Sequence, residues 1–212
     1  MKSEMPKVLH EVAGAPLLMH CMKTAQTIEP EHLIIVAGHG SEDVTKTAKT
    51  YAPDSQIVTQ SAQLGTAHAV AQSREILSGF EGDLIILYGD TPFIRPETLK
   101  KLAQARQKSD LVILGFEAND PGRYGRLITS GTDLLEIVEY KEANAAQKDI
   151  TLCNSGVLAG PAQLIFKLIE QVETSNNAGE LYLTDCIALA RAAGKSAGVV
   201  TCPEAETLGV NS

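Results

Sequence analysis

Three short apolar runs constrain this chain more than anything else in it: Leu33-Ile34-Ile35-Val36, Leu84-Ile85-Ile86-Leu87 and Leu111-Val112-Ile113-Leu114. Each is rich in branched residues and bounded by Asp, Gly or His, as buried strands are. Helical stretches lie between them. Pro16 to Ile28 opens with proline in a good first-turn position and carries Leu17, Leu18, Cys21 and Ala25 at helical spacing. Ser41 is placed to cap a helix to about Ala52, with Glu42 and Asp43 in its acidic first turn. Thr66 to Leu77 and Pro96 to Gln107 read as two more helices. Strands alternating with helices predict an α/β fold with a mostly parallel sheet.

The second half changes character. Arg126–Thr129 and Leu134–Tyr140 are strand-like and flank the turn cluster Ser130-Gly131-Thr132-Asp133, which predicts a hairpin. Thr151–Leu158 is strand-like, Pro161–Thr174 and Leu183–Ala193 are helical, and Ala197–Cys202 is a last strand. The expectation is one α/β domain over residues 1–212, with a smaller β-rich subregion near 123–160.

Composition narrows the function classes. The chain has 212 residues, 44% hydrophobic and 21% charged, ordinary for a globular domain with a real core. No apolar run approaches the roughly 20 residues that span a membrane. The opening Met1-Lys2-Ser3-Glu4-Met5-Pro6 lacks a signal-peptide core, so the cytoplasm is the expected location. A formal net charge of -8 argues against a nucleic-acid partner, which wants a basic face. Cys21, Cys153, Cys186 and Cys202 are scattered and form no Cys-x-x-Cys motif, so they read as reduced core residues.

Two segments carry candidate chemistry. In Leu84-Ile85-Ile86-Leu87-Tyr88-Gly89-Asp90 an acid follows directly on a strand, at the carboxyl end of the sheet where open α/β folds bind ligands. A carboxylate there suits Mg²⁺, which takes one or two protein oxygens and keeps waters and phosphates for the rest. It could equally cap the loop that follows. In Gln60-Ser61-Ala62-Gln63-Leu64-Gly65-Thr66-Ala67-His68-Ala69, Gly65 and Thr66 sit near a helix N-terminus that favours phosphate, and Gln60 can offer a donor and an acceptor to a base edge. An ordinary polar turn remains the competing reading, with His68 serving the local structure. Gly38-His39-Gly40 begins like a dinucleotide fingerprint, but its third glycine position is Asp43, which excludes it.

Eight stretches, in order, resemble the uridylyltransferase domain of the bacterial bifunctional N-acetylglucosamine-1-phosphate uridylyltransferase / glucosamine-1-phosphate acetyltransferase family. They are Pro6–His10, Gln60–Ala69, Tyr88–Pro92, Tyr124–Arg126, Ile137–Glu142, Asn154–Gly156, Gly179–Asp185 and Gly209–Asn211. The resemblance implies a Rossmann-like nucleotidyltransferase fold with a sugar-binding insertion. The reaction it implies joins UTP and N-acetylglucosamine-1-phosphate into UDP-N-acetylglucosamine and pyrophosphate. It further implies that Lys7 contacts nucleotide phosphate, that Gln60, Gly65 and Thr66 hold the uracil, and that Tyr88, Gly89 and Asp90 line the centre. Gly125, Glu139 and Asn154 would recognise the sugar, with Tyr88 beside it, and Asp90 and Asn211 would bind Mg²⁺. Lys7 and Asp90 would be the catalytic pair. Ser155 stands where the family often has Thr, and Tyr140 where His can occur.

The family begins with a strand and a Gly-rich loop ending Gly-Thr-Arg-Met, and Met1 matches that last Met. The resemblance therefore implies a domain without its first, central strand and its loop, folded poorly or folded but close to inactive, with weak residual sugar-nucleotide binding at best. Full-length members are expected to be homotrimers through a left-handed β-helix, whose hexapeptide repeats this chain does not contain. A related nucleotidyltransferase with another base or sugar, or a noncatalytic sugar-nucleotide-binding fragment, is the alternative.

Overall fold

The computed structural model describes residues 5–174, 176 and 179–209. A 3-10 turn at Lys7–Leu9 leads into a minimal hairpin of β1 (Glu11–Val12) and β2 (Ala15–Pro16). Then follow α1 (Leu17–Gln26), β3 (Ile34–Ala37), α2 (Ser41–Tyr51), β4 (Gln56–Thr59), α3 (Thr66–Ala71), β5 (Asp83–Ile86) and α4 (Pro96–Ala105). The second half adds β6 (Leu111–Glu117), β7 (Arg126–Ser130), β8 (Asp133–Val138), α5 (Ala145–Lys148), β9 (Leu152–Pro161), α6 (Ala162–Ile169), α7 (Asp185–Ala192) and β10 (Ala197–Cys202).

The α/β class holds, but the main sheet is mixed rather than mostly parallel. Its six strands run in the order β5-β9-β6-β10-β8-β7. Only β6 and β10 pair parallel, and the other described pairs in it are antiparallel. The cause is β9, which returns after the hairpin and runs between β5 and β6. Its Val157, Leu158 and Ala159 are essentially buried, so its composition is that of any central strand and carries no sign of direction. The β7–β8 hairpin continues the sheet through β8–β10 and β7–β9 contacts.

Two local expectations change. Ser41 is the first helical residue of α2 and not its cap: Gly40 takes that place in the left-handed region (φ 66°), with no side-chain cap bond. A Cβ there would lie 2.3 Å from Pro6 Cγ, so glycine serves both the conformation and the close approach. The helix starting at Thr66 ends at Ala71 and continues only as turns.

The core lies on both faces of the sheet. On one side α6 and α7 bury Ile165, Phe166, Cys186 and Ile187 against Leu111, Ile113 and Leu158. On the other, α4 sets Leu99 and Leu102 against Val112, Leu114 and Phe116. Each such side chain contributes about 1.5–3 kcal/mol by leaving water. A third cluster joins α1 and α2 to β3 through Leu18, Met22, Ile35, Val44 and Ala48. All four cysteines are free and buried, and burial pushes the thiols of Cys21, Cys186 and Cys202 up to about 12, so they are unreactive packing groups.

The parallel pair β3–β4 is a sheet of its own. Among the described residues, β3 and β5 each keep one edge without a strand partner, and a cavity of about 500 Å³ lies between them. Leu84, Ile85 and Ile86 are consequently half-buried, where their composition predicts full burial. No helix among the described residues is long and apolar enough to cross a membrane.

Candidate active site

Asp90 stands in the loop that follows β5, against the turn that carries Lys7. It lies four residues beyond the end of β5 rather than directly on it, because Leu87, Tyr88 and Gly89 leave the strand. Its carboxylate caps no helix; it accepts a bond from Lys7 Nζ at 2.7 Å. The backbone here is held from several sides. The Tyr88 carbonyl accepts from Thr91 N, Thr91 Oγ1 and Cys21 Sγ. A Cβ on Gly89 would lie 3.1 Å from Val8 Cγ1, so the Lys7 turn packs directly on this loop.

Tyr88 anchors a closed ring of contacts. Burial raises the pKa of its phenol, and the Thr66 side chain opposes that rise. Thr66 Oγ1 accepts from Leu183 N at 2.9 Å. The neighbouring Thr184 donates its hydroxyl to Glu139 Oε1 at 3.1 Å. Glu139 Oε2 faces Gly125, lying 3.4 Å from where a Cβ would be. The Gly125 carbonyl accepts from Asn154 N at 2.8 Å, and Asn154 Oδ1 accepts from Gly156 N at 2.9 Å. Gly156 closes the ring: at φ +89° its missing Cβ would lie 2.5 Å from the Tyr88 ring. Elements far apart in sequence thus join one carboxylate, one amide and one phenol through one run of contacts.

On the other flank Gln60 Nε2 donates to the Gly65 carbonyl at 3.1 Å and meets His68 Nδ1 at 3.0 Å. His68 Nε2 meets Gln72, so this ring is tied into the local structure. Gly65 (φ +118°) must be glycine, since a Cβ would lie 2.5 Å from the Leu181 carbonyl. The Ala67 amide, in the first turn of α3, donates to that same carbonyl, so that donor is already taken. Asn211 lies outside the described residues. The segment leading to it is pinned by buried Glu206, which accepts from Thr98 Oγ1 at 2.7 Å and Arg95 N at 3.1 Å. Gly209 lies beside the Asp90 carbonyl.

Three contributors lie in stretches that carry the family resemblance but had no role assigned from the sequence. Thr184 and the Leu181–Leu183 backbone arrive from a loop more than 100 residues from Thr66. Arg126 is 2% exposed and donates to the carbonyls of Pro121, Gly122, Tyr124 and Lys148, organising the turn that presents Gly125.

Burial pushes Glu139 above the usual carboxylate range; the Thr184 bond opposes this and Asp185 adds to it. Burial raises Asp185 as well. A raised carboxylate holds its proton to higher pH when folded. Its contribution is full below the unfolded pKa and lost as pH rises through the folded one. Glu139→Gln is therefore expected to keep or raise Tm at pH 7 and to flatten the decline between the ordinary glutamate range and neutrality. A lower Tm for the variant across that interval, by calorimetry, would contradict this.

Solved structures set the class: the fold is that of the nucleotide-sugar pyrophosphorylases. The chain is similar to UDP-glucose pyrophosphorylase complexed with UDP-glucose, with a TM-score of 0.73 at 17% identity over 92% of this chain and 82% of that one. It is also similar to the inositol-1-phosphate CTP transferase from T. maritima, with a TM-score of 0.75 at 17% identity over 96% and 80%. At such identities the likeness is one of fold. The sequence sets the family: residues 1–154 match the MobA-like NTP transferase domain, and the chain belongs to that family. Among curated relatives, it is 54% identical over 212 residues to the bifunctional protein GlmU of Cereibacter sphaeroides (strain ATCC 17025 / ATH 2.4.3). It is 53% identical over 212 residues to the GlmU of Ruegeria sp. (strain TM1040). All of this chain aligns, but it spans only 47% of each relative, about half their length.

Proposed function

We propose that this site transfers a uridylyl group from UTP to N-acetylglucosamine-1-phosphate, giving UDP-N-acetylglucosamine and pyrophosphate. The observation that carries the reading is the closed ring joining Tyr88 to Glu139 and Asn154 beside the Lys7–Asp90 pair. It supplies a polar sugar pocket and a charged phosphate centre in one space. The resemblance to GlmU over the whole chain supports the choice of base and sugar.

The residues divide the work by their free groups. Gln60 has its Nε2 engaged, which leaves Oε1 to accept the N3–H of uracil; cytosine lacks that hydrogen. Asn154 has its Oδ1 engaged, which leaves the Nδ2 donors for an acetamido or hydroxyl oxygen. Glu139 Oε2, beside side-chain-free Gly125, accepts a sugar hydroxyl. Lys7 brings a cation to the phosphates. The sugar phosphate oxygen attacks the α-phosphorus in line and pyrophosphate leaves, a reaction that needs positioning and charge neutralisation.

The donor chemistry fits Mg²⁺. Among the described residues no cluster of three metal-ligating side chains exists, but Mg²⁺ is commonly held by one or two protein oxygens with phosphates and water. Asp90, with Asn211, would hold it, and bound there it would neutralise phosphate charge. A cytoplasmic location accords with this reading.

The test is pyrophosphate release. UTP with N-acetylglucosamine-1-phosphate should exceed CTP, or glucose-1-phosphate, in kcat/KM. Equal use of the other base or sugar would favour a different nucleotidyltransferase. Binding without turnover would favour a noncatalytic domain. Asn154→Ala should weaken N-acetylglucosamine-1-phosphate by about tenfold, near 1.4 kcal/mol for a lost buried partner, and UTP much less. Equal weakening of both by calorimetry would remove Asn154 from the sugar pocket.

A further inference from the structure

One buried carboxylate takes no part in the ring around Tyr88 or in the Lys7–Asp90 pair. The Glu206 side chain is only 4% accessible. Its Oε2 accepts from Thr98 Oγ1 at 2.7 Å and from Arg95 N at 3.1 Å. Arg95 is the cap residue of α4 and makes no side-chain cap bond of its own. In a capping box an acid at the third helical position reaches back to the N–H of the cap residue. Here that position is Thr98, and the acid arrives from 111 residues along the chain. Thr98 is itself buried, so hydroxyl and carboxylate meet out of water.

Capping alone does not call for such a group. A serine or aspartate in place of Arg95 would cap α4 locally. Burying a carboxylate costs solvation that its hydrogen bonds do little more than return. What a distant carboxylate adds is a fixed separation between two segments. One is the loop from Asp90 to Arg95, which leads into α4. The other is the turn at Glu204–Glu206 and the residues after it. That turn is anchored in its own right: Glu204 Oε2 accepts from Asn119 Nδ2 at 2.7 Å, and Thr207 Oγ1 donates to the Glu204 carbonyl at 2.8 Å. Further along, a Cβ on Gly209 would lie 3.6 Å from the Asp90 carbonyl. The Glu206 bonds and the Gly209–Asp90 approach are thus successive contacts between the same two segments.

We propose that Glu206 is a positioning residue for the cation that Asp90 would hold. It sets the distance between Asp90 and the segment at Gly209, and it does so by its reach rather than by its charge. The inference rests on the proposed assignment of Asp90 to Mg²⁺. Asp90 precedes Arg95 by five positions, and Asn211, outside the described residues, follows Glu206 by five. Two protein oxygens that share one Mg²⁺ must keep their spacing closely, because its octahedral shell is strict. The reach matters because Oε2 alone holds both donors, while Oε1 faces the exposed Arg95 Nε at 3.7 Å. Glutamine can therefore reproduce the clamp with its one carbonyl oxygen. Aspartate keeps the charge and falls one carbon short.

The probe is Mn²⁺, followed as free ion by electron paramagnetic resonance, with UDP-N-acetylglucosamine saturating. The parent should bind it and Asp90→Asn should not. Glu206→Asp is expected to weaken Mn²⁺ about tenfold or more, the usual effect of losing support behind a metal ligand, and Glu206→Gln to stay within about twofold of the parent. Thr98→Val removes one donor at nearly constant shape and should weaken Mn²⁺ in the same direction. Combined with Glu206→Asp it should add less than its separate effect, since both break one contact. Metal-free binding of UDP-N-acetylglucosamine, by calorimetry, should hardly change in any of these variants. Should Glu206→Asp fail to fold, Thr98→Val decides the outcome. A larger loss for Glu206→Gln than for Glu206→Asp would make the charge decisive and overturn the proposal. So would equal loss of Mn²⁺ and of metal-free UDP-N-acetylglucosamine, which marks a structural role only, or parent-like Mn²⁺ affinity in Glu206→Asp and Thr98→Val. Mn²⁺ binding that is absent from the parent, or kept by Asp90→Asn, would remove Asp90 from the metal, and the proposal would fall with that reading. No arm depends on turnover, so failure of the proposed reaction is read separately.

Discussion

Asp90→Asn is expected to lower kcat for pyrophosphate release by at least about 100-fold, which is about 2.7 kcal/mol of transition-state stabilisation. The same substitution should scarcely change Tm. Lys7 and Asp90 form an exposed pair, with side chains 45% and 31% accessible. Exposed ion pairs contribute about 0–1 kcal/mol to stability. Asparagine also keeps an oxygen for Lys7, so the loop geometry survives. What it removes is the anionic charge that a hard cation needs. The two magnitudes separate the roles: a stability effect larger than the catalytic one would make the pair structural. Near-parent turnover at ordinary Mg²⁺ would sink the assignment of Asp90.

Arg126→Ala should have the opposite profile. Its guanidinium is buried, donates to four backbone carbonyls, and lies 5.9 Å from the Tyr140 ring centroid. Truncation leaves those carbonyls without their donor and opens a space under the turn at Pro121–Gly125. Each buried unsatisfied group costs about 1–3 kcal/mol, and partial access of water to this turn reduces the sum to about 3 kcal/mol. For a domain of this size that is a loss of about 6–12 °C in Tm. Arg126→Lys should recover only part, since an ammonium cannot span carbonyls on both sides of a planar fork. A Tm within about 2 °C of the parent would show that the carbonyls find other partners.

Some of this could be read from the chain alone. The apolar runs at Leu33, Leu84 and Leu111 are strands because their local composition leaves no other way to bury them. Asp90 stands just past such a run, where an α/β sheet opens toward ligand, and Gln60 stands in the polar segment that leads to the helix start at Gly65-Thr66. The hairpin at residues 126–138 was legible from the turn cluster Ser130-Gly131-Thr132-Asp133 between two strand-like runs. Ordered motifs such as Gln63-Leu64-Gly65-Thr66 and Asn154-Ser155-Gly156 pointed to the family.

Direction, pairing and convergence were not legible. The run at Leu152–Pro161 is apolar on both faces, and nothing local to it says that it turns back between β5 and β6. Strand identity is a property of neighbouring residues, whereas strand order is decided by contacts between residues distant in the chain. The same holds at the site. Glycine at 156 is required by the Tyr88 ring, Thr184 matters because it reaches Glu139, and Gly65 because Leu181 lies against it. The amino-acid sequence by itself determined which segments are strands and helices and which residue types could meet a nucleotide, because those depend on local pattern and chemistry. Only the tertiary structure decided the mixed sheet and the ring around Tyr88, because each arises from packing between segments whose separation along the chain leaves no local trace.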